Sequence, residues 1–312
     1  MADITREDAL ALLAEQDINE IVQDATKASS ALATFRTVRM SAKVARMPVL
    51  TALPTAGFVS ESATSAEGVK PTAEVEWDRK ELIAEEIACI VPIHENVLDD
   101  SNFDIWGEIR PLVAQEFGRI LDNAVLFGVN NPSTWDGALV PTAVAAGNSL
   151  AETGDLAEDI NQTFALVEED GFDVNNAYTG RFLRARLRGL KDEHGHPIYL
   201  DNIRSDGRTP SVYGQDLHYV ANGTWDREAA VMLVGDSSKA ILGIREDIQV
   251  KLLTEATVGG INLAERDMVA LRFKFRVGFA TAVPMTLEGG AAYDPDSGEG
   301  AYPFAVLTPA GS

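Results

Sequence analysis

Four histidines, a single cysteine and scattered carboxylates are the side chains able to do chemistry in this 312-residue sequence. His194-Gly195-His196 brings two imidazoles close enough to share a metal ion. No third ligand follows at a spacing that would fix it, so DEHGHP reads as a polar turn. Asp294, Asp296 and Glu299 supply part of a calcium-loop pattern, but the remaining ligand positions and the closing Glu are missing. That stretch reads as an acidic surface turn. Cys89 could act as a nucleophile with His94 five residues on. Its neighbours Ile87, Ala88, Ile90 and Val91 point instead to an inert thiol in a buried strand. GDSSKAILG lacks the second glycine of a phosphate loop, no G-x-G-x-x-G opens a helix, and no G-x-S-x-G elbow occurs. The sequence predicts no catalytic residue, no metal ligand and no cofactor.

Charge is the outlying property. Lys and Arg number 26 against 48 Asp and Glu, a net charge of −22. Such a surplus opposes both phosphate neutralisation and docking on an anionic membrane. The cations are clustered. Arg36, Arg39, Lys43 and Arg46 lie in one polar stretch. Arg181, Arg184, Arg188 and Lys191 recur at helical spacing, with Leu183, Leu187 and Leu190 on the opposite side. This stripe suits acidic groups of a neighbouring subunit, DNA phosphates, or the chain's own carboxylates. Four positive charges within −22 make a poor DNA site. A lone cysteine forms no internal disulfide, the start MADITREDAL has no signal-peptide pattern, and no apolar run approaches the ~18 residues of a membrane span. The expectation is a soluble chain made in a cytoplasm.

The elements that would position these groups are legible from periodicity. Leu10, Leu13, Ile18 and Ile21 mark a helix, and residues 29–47 read as an arm too polar to bury itself. Residues 48–60 and 73–91 read as strands flanking a small-residue tip with Gly68, Lys70 and Pro71. Thirteen residues per arm reach about 43 Å, longer than the body's radius of roughly 25 Å, so the hairpin either wraps the body or projects from it. In its second arm Val75, Trp77 and Arg79 alternate with Glu74, Glu76 and Asp78, which is no pattern for full burial. Ser101 and Asp104 cap a long helix whose stripe runs Trp106, Ile109, Val113, Phe117, Ile120, Ala124 and Phe127. Gly128 ends it, and Pro111 should kink it or start its second half. A mixed region follows: a helix near 155–170, strand-like DVNNAYT, the Arg181–Lys191 helix, then VMLVGD, KAILGI and IQVKLL as short strands. Residues 267–285 read as a longer strand pair, and the Gly- and Pro-rich tail holds one apolar patch, Phe304 to Leu307.

This order of parts resembles the major capsid protein of tailed bacteriophages, the Hong Kong 97-type fold, an α+β class. Three stretches carry the likeness: LDNAVLFGVNNPSTWDGALV, VMLVGDSSKAILGIREDIQVKLLTEA and NLAERDMVALRFKFRVGFATAVP. With the hairpin they cover most of residues 48–285. The resemblance implies an N-terminal helix and arm over 1–47, an extended β-hairpin loop over 48–91 lying on a neighbour, and a peripheral domain with a spine helix over 92–133. It further implies an axial α/β domain over 134–264, returning peripheral strands over 265–287 and a tail over 288–312.

The implied role is a self-assembling icosahedral shell of pentamers and hexamers around double-stranded DNA, held without sequence-specific contacts and with no membrane. A separate scaffolding protein, a portal and decoration proteins are the implied partners, the virion capsid the location, and the host bacterial cytoplasm the place of assembly. Lys70, Trp77, Arg79, Arg181, Arg184, Arg188 and Lys191 are the expected assembly-interface residues. Lys70 holds the position of a crosslinking lysine found in some relatives, but no matching Asn or catalytic Glu can be assigned and no crosslink is expected. Two alternatives stand beside this reading: an encapsulin-type nanocompartment shell, and a soluble α/β enzyme with an unrecognised carboxylate site.

Overall fold

The computed structural model describes residues 29–52, 54, 75–96, 105–190, 194, 210–295, 297–298 and 300–311. The expected helix through Leu10–Ile21, the hairpin tip with Lys70, the Ser101–Asp104 cap, Lys191, His196, Asp296 and Glu299 lie outside the described residues.

Two sheets organise the chain, and a short antiparallel pair, β11 (Thr257–Val258) with β12 (Ile261–Asn262), is separate from both. The first has strand order β1-β10-β13-β4, from β1 (Arg36–Arg39), β4 (Glu85–His94), β10 (Ala240–Leu253) and β13 (Met268–Thr281). In β13 the residues alternate: Phe273, Phe275, Val277 and Phe279 are buried, while Arg272, Lys274 and Arg276 occupy the other face. KAILGI and IQVKLL are one strand rather than two, with register shifts between Ile244 and Glu246 and between Glu246 and Gln249 where extra residues bulge out of the ladder. Residues 268–281 likewise form one strand, not a pair, because β10 and β4 pair along its two sides.

The aromatic face of this sheet packs against α2 (Ile105–Asp122), which buries Val113, Ala114, Phe117 and Leu121. The helix runs through Pro111 and ends in a π-helical turn, Asn123–Phe127, closed by Gly128 in the left-handed region at φ 75°. The buried stripe steps from Phe117 to Leu121 and continues through Ala124, Val125 and Leu126 in that turn, whereas Ile120 and Phe127 are only half-buried.

The second sheet has order β5-β14-β9-β6-β8-β7, from β5 (Ser149–Ala151), β6 (Asn176–Gly180), β7 (Ser211–Val212), β8 (Gln215–Val220), β9 (Met232–Gly235) and β14 (Phe304–Thr308). One face, with Ala177, Leu217, Met232, Val234, Ala305 and Leu307, packs on α4 (Leu156–Glu169) and α5 (Arg181–Arg188). The other, with Tyr178, Leu233, Phe304 and Val306, joins the core of α2 and α3 (Leu139–Ala145). The apolar patch of the tail is thus an interior strand, between β5 and β9.

The polar arm does bury itself, against expectation. Residues Ser30–Thr34 form a short helix, α1, and β1 pairs in parallel with β10. Phe35 enters the core edge-on to Tyr178, ring centroids 5.8 Å apart. Three apolar side chains, Ala31, Phe35 and Met40, anchor the stretch while its arginines stay outside.

The hairpin also differs from its expected span. β2 (Val44–Ala52) pairs antiparallel with β3 (Glu76–Ile83), Val44 opposite Ile83 and Leu50 opposite Trp77. Residues 73–91 are not one arm: the chain turns at buried Ala84, and β4 leaves the hairpin to pair with β13. As an edge strand, β4 packs only its odd-numbered face, so Cys89 is half-buried rather than within a buried strand.

Candidate assembly surface

Three loop residues grip the root of the hairpin. Trp135 donates from Nε1 to the Ile83 carbonyl at 3.0 Å, Thr134 donates to Glu85 at 2.9 Å, and Asp136 pairs with Lys80 at 3.1 Å. Asp136 is itself held by the Thr281 backbone N–H at 2.9 Å. Beyond the root the hairpin turns outward. Trp77 is 64% exposed, Arg79 is exposed opposite Pro48, and Glu76 and Asp78 are exposed on the alternate face. A ribbon with two wet faces and a bare Trp gains little from its own chain and calls for another surface.

On α5 the arginine stripe is where its spacing put it. Leu183 and Leu187 are buried; Arg181, Arg184 and Arg188 are exposed. Arg184 sits 5.7 Å from the Tyr219 ring centroid, and Arg188 Nε donates to the Arg184 carbonyl at 3.3 Å. Arg186, which the helical stripe did not single out, pairs with Glu152. Nothing in the described residues brings the hairpin residues Trp77 and Arg79 together with this stripe.

A buried carboxylate ties the halves of the molecule together. Asp122, 0% exposed at the end of α2, accepts from Ser29 Oγ at 2.6 Å, from the backbone N–H groups of Ser30 and Ala31 at 3.0 and 3.1 Å, and from Asn222 Nδ2 at 2.7 Å. Burial pushes its pKa up, and these four donors pull against that shift. The signal for it was present: a carboxylate next to Leu121 on the apolar face of an amphipathic helix has to be met by donors.

The candidates for chemistry do not converge. Cys89 and His94 are odd and even residues of one strand and face opposite sides of it, about 16 Å apart along the chain. Asp236 of the GDSSK stretch caps a turn, accepting from Ser238 N at 3.0 Å and Asn175 Nδ2 at 2.7 Å. Among the described residues no group of three His, Cys, Asp or Glu is placed to hold a metal ion. Nor, among them, is any helix long and apolar enough to cross a membrane.

Comparison with known proteins supplies the context. The sequence pattern of the Phage capsid family matches residues 11–288. The chain is 27% identical to the major capsid protein of Staphylococcus phage 80alpha over 68% of its own length, and this spans 65% of that relative. A solved structure from Microbacterium phage Oxtober96 is 61% identical and superposes with a TM-score of 0.80, covering 99% of this chain and 100% of that one. A second, from Mycobacterium phage Cain, is 38% identical with a TM-score of 0.80 and 91% coverage of each chain.

Proposed function

The chain belongs to the phage capsid family, and from that membership we propose that it is the major capsid protein of a tailed phage, building an icosahedral shell from copies of itself. It is a structural subunit and not an enzyme. The relatives come from phages, which sets aside the encapsulin-type compartment and the enzyme alternative.

The hairpin carries the reading. Its root is latched to the body while its outer strands leave Trp77, Arg79, Glu76 and Asp78 in water. In a shell this ribbon lies over a neighbouring subunit, where Trp77 and Arg79, with Lys70 at the tip, meet the adjoining surface. The sheet β1-β10-β13-β4 with α2 forms the peripheral domain, and by strand pairing it takes in residues 240–253. The six-stranded sheet with α4 and α5 forms the axial domain and takes in the tail strand β14. The stripe Arg181, Arg184, Arg188 and Lys191 faces acidic groups of the next subunit around a five- or six-fold axis. DNA is enclosed without sequence-specific contacts, and scaffolding, portal and decoration proteins join the shell in the host bacterial cytoplasm before it becomes the virion capsid.

Expression of the chain alone or with a scaffolding protein, followed by sedimentation and electron microscopy, tests this. Hollow shells are the expected result. A protein that stays monomeric under all conditions, with its 48–91 segment protected from protease, overturns it.

A further inference from the structure

A cavity of about 420 Å³ opens beside the root of the hairpin. Five stretches wall it: Lys80 of β3, residues 135–137, α3, the end of β13 and the tail. Trp135, Pro141, Val283 and Tyr293 make much of that wall apolar. The Trp135 side-chain N–H is already spent on the Ile83 carbonyl, so the indole has no donor left to offer. Lys80 and Asp136, both on the wall, neutralise each other at 3.1 Å. The site therefore asks for no net charge in an occupant.

Two hydroxyls on this wall are out of place in so dry a setting. Tyr302 is 1% exposed and Thr281 5% exposed, and neither side-chain oxygen has a hydrogen-bond partner among the described residues. Thr281 and Thr142 lie near enough to the Tyr302 hydroxyl to favour its ionised form, but without the geometry of a hydrogen bond. The groups that act on that hydroxyl, Thr281, Thr142, Asp136 and Tyr293, all line the cavity, so the hydroxyl is directed at it. Both backbones are pinned: Thr281 N–H donates to Asp136 and Tyr302 N–H to Asp170, each at 2.9 Å. A fixed, buried hydroxyl without a partner is costly and uncommon.

We propose that the cavity is a binding site for a small neutral aromatic alcohol, its ring against Trp135 and Tyr293 and its hydroxyl bonded to Tyr302 Oη and Thr281 Oγ1. An apolar wall with a few convergent polar groups is the usual make-up of a small-molecule site. Size limits the ligand to one or two rings, since roughly 150 Å³ already holds benzene. Tyr293 and Tyr302 meet edge to face, centroids 5.6 Å apart, and a third ring extends that arrangement. Water serves the hydroxyls but leaves Trp135, Pro141, Val283 and Tyr293 wet. The site belongs to the single subunit and goes beyond shell building.

Titration of the unassembled full-length chain with p-cresol, and with toluene as the analogue lacking the hydroxyl, tests the site by saturation-transfer NMR and thermal melts. Wild type should bind p-cresol saturably, and its melting temperature should rise with p-cresol concentration. Tyr302→Phe with Thr281→Val keeps the shape and removes only the two unpaired hydroxyls, so the variant should fold as the wild type does. In it the ratio of p-cresol to toluene affinity should fall about tenfold, the loss of one or two net hydrogen bonds. Should the pair of changes impair folding, each single change carries the same comparison. A ratio that stays at the wild-type value overturns the role of the hydroxyls and with it the proposal. Wild type that takes up neither probe, or shows no saturation, overturns it in favour of a cavity holding water alone. None of these readouts depends on shell formation, so failure to assemble bears only on the capsid reading.

Discussion

Gly243 and Gly278 stand directly opposite each other on adjacent strands, and the root of the hairpin crosses in the notch that they leave. A Cβ on Gly278 would lie 2.6 Å from the Ile83 carbonyl oxygen, and one on Gly243 would lie 2.5 Å from Leu82 Cδ2. Leu82 can change rotamer, whereas the Ile83 backbone cannot move without lifting β3. Gly278→Ala is therefore expected to destabilise the protein by about 1–3 kcal/mol and to open the hairpin root. Gly243→Ala should cost less. Chemical denaturation with limited proteolysis near Ile83 checks both; equal effects would mean that the backbone contact does not govern the crossing.

The Asp122 cluster makes the arm part of the fold rather than an appendage. Ser29→Ala removes a hydrogen bond to a buried carboxylate and the cap that Ser29 Oγ provides by accepting from the Leu32 N–H, and should destabilise by about 2–4 kcal/mol. Asp122→Asn keeps the shape but turns one acceptor atom into a donor, facing donors already in place, and should cost more than Ser29→Ala. Denaturation midpoints, with protease sensitivity of the arm, give the order of the two.

Asp122 also has a pH signature. Burial raises its folded pKa above the unfolded value, so the folded state holds a proton that the unfolded state releases. Its contribution is therefore full below the ordinary carboxylate range and declines as pH rises through the raised pKa. A wild-type minus Asp122→Asn difference in unfolding free energy, measured from pH 4 upward, should shrink toward neutrality. A flat difference would show that the four donors cancel the burial effect.

His218 runs the other way. It stacks on Tyr178, centroids 5.6 Å apart, with Nε2 2.8 Å from Asn176 Oδ1. Desolvation lowers its pKa, against the opposing pull of Asp216. A depressed folded pKa gives stability that is present above the unfolded value of about 6.5 and is lost as pH falls below it. His218→Gln should flatten the stability profile between pH 7.5 and 5 in denaturant titrations, whereas the wild type should weaken across that range.

Much of this architecture could be read from periodicity, because strong one-faced patterns have one solution. The alternation of Arg272, Lys274 and Arg276 against Phe273, Phe275 and Val277 defines both faces of β13, and Leu183 with Leu187 orients α5. What escaped reading depends on long-range partners. Phe35, Ala31 and Met40 are too few to signal burial in a polar arm, yet each meets a pocket built by residues far along the chain. The split of the 73–91 segment is invisible locally, since β3 and β4 are equally strand-like; only the Gly243–Gly278 notch and the grip of Trp135 mark where one sheet ends and the other begins.

The arginine stripe offers the sharpest separation of folding from assembly. Leu183 and Leu187 anchor α5 and Arg184 lies over the Tyr219 ring, whereas Arg181 and Arg188 extend into solvent, so loss of those two removes little from the isolated subunit. Arg181→Glu with Arg188→Glu should leave the thermal unfolding temperature nearly unchanged while reducing shell yield. If the stripe faces the carboxylates of the next subunit, raising the salt concentration should weaken wild-type assembly through this contact and should lessen the difference between wild type and variant, because added ions screen attraction and repulsion alike. Arg186→Ala is the counterpart: it breaks the pair with Glu152 inside the subunit and should lower stability modestly with little effect on yield. Sedimentation across a salt series resolves these outcomes. A double variant that assembles like the wild type at low salt would place the stripe on a solvated face, with its charge serving only solubility.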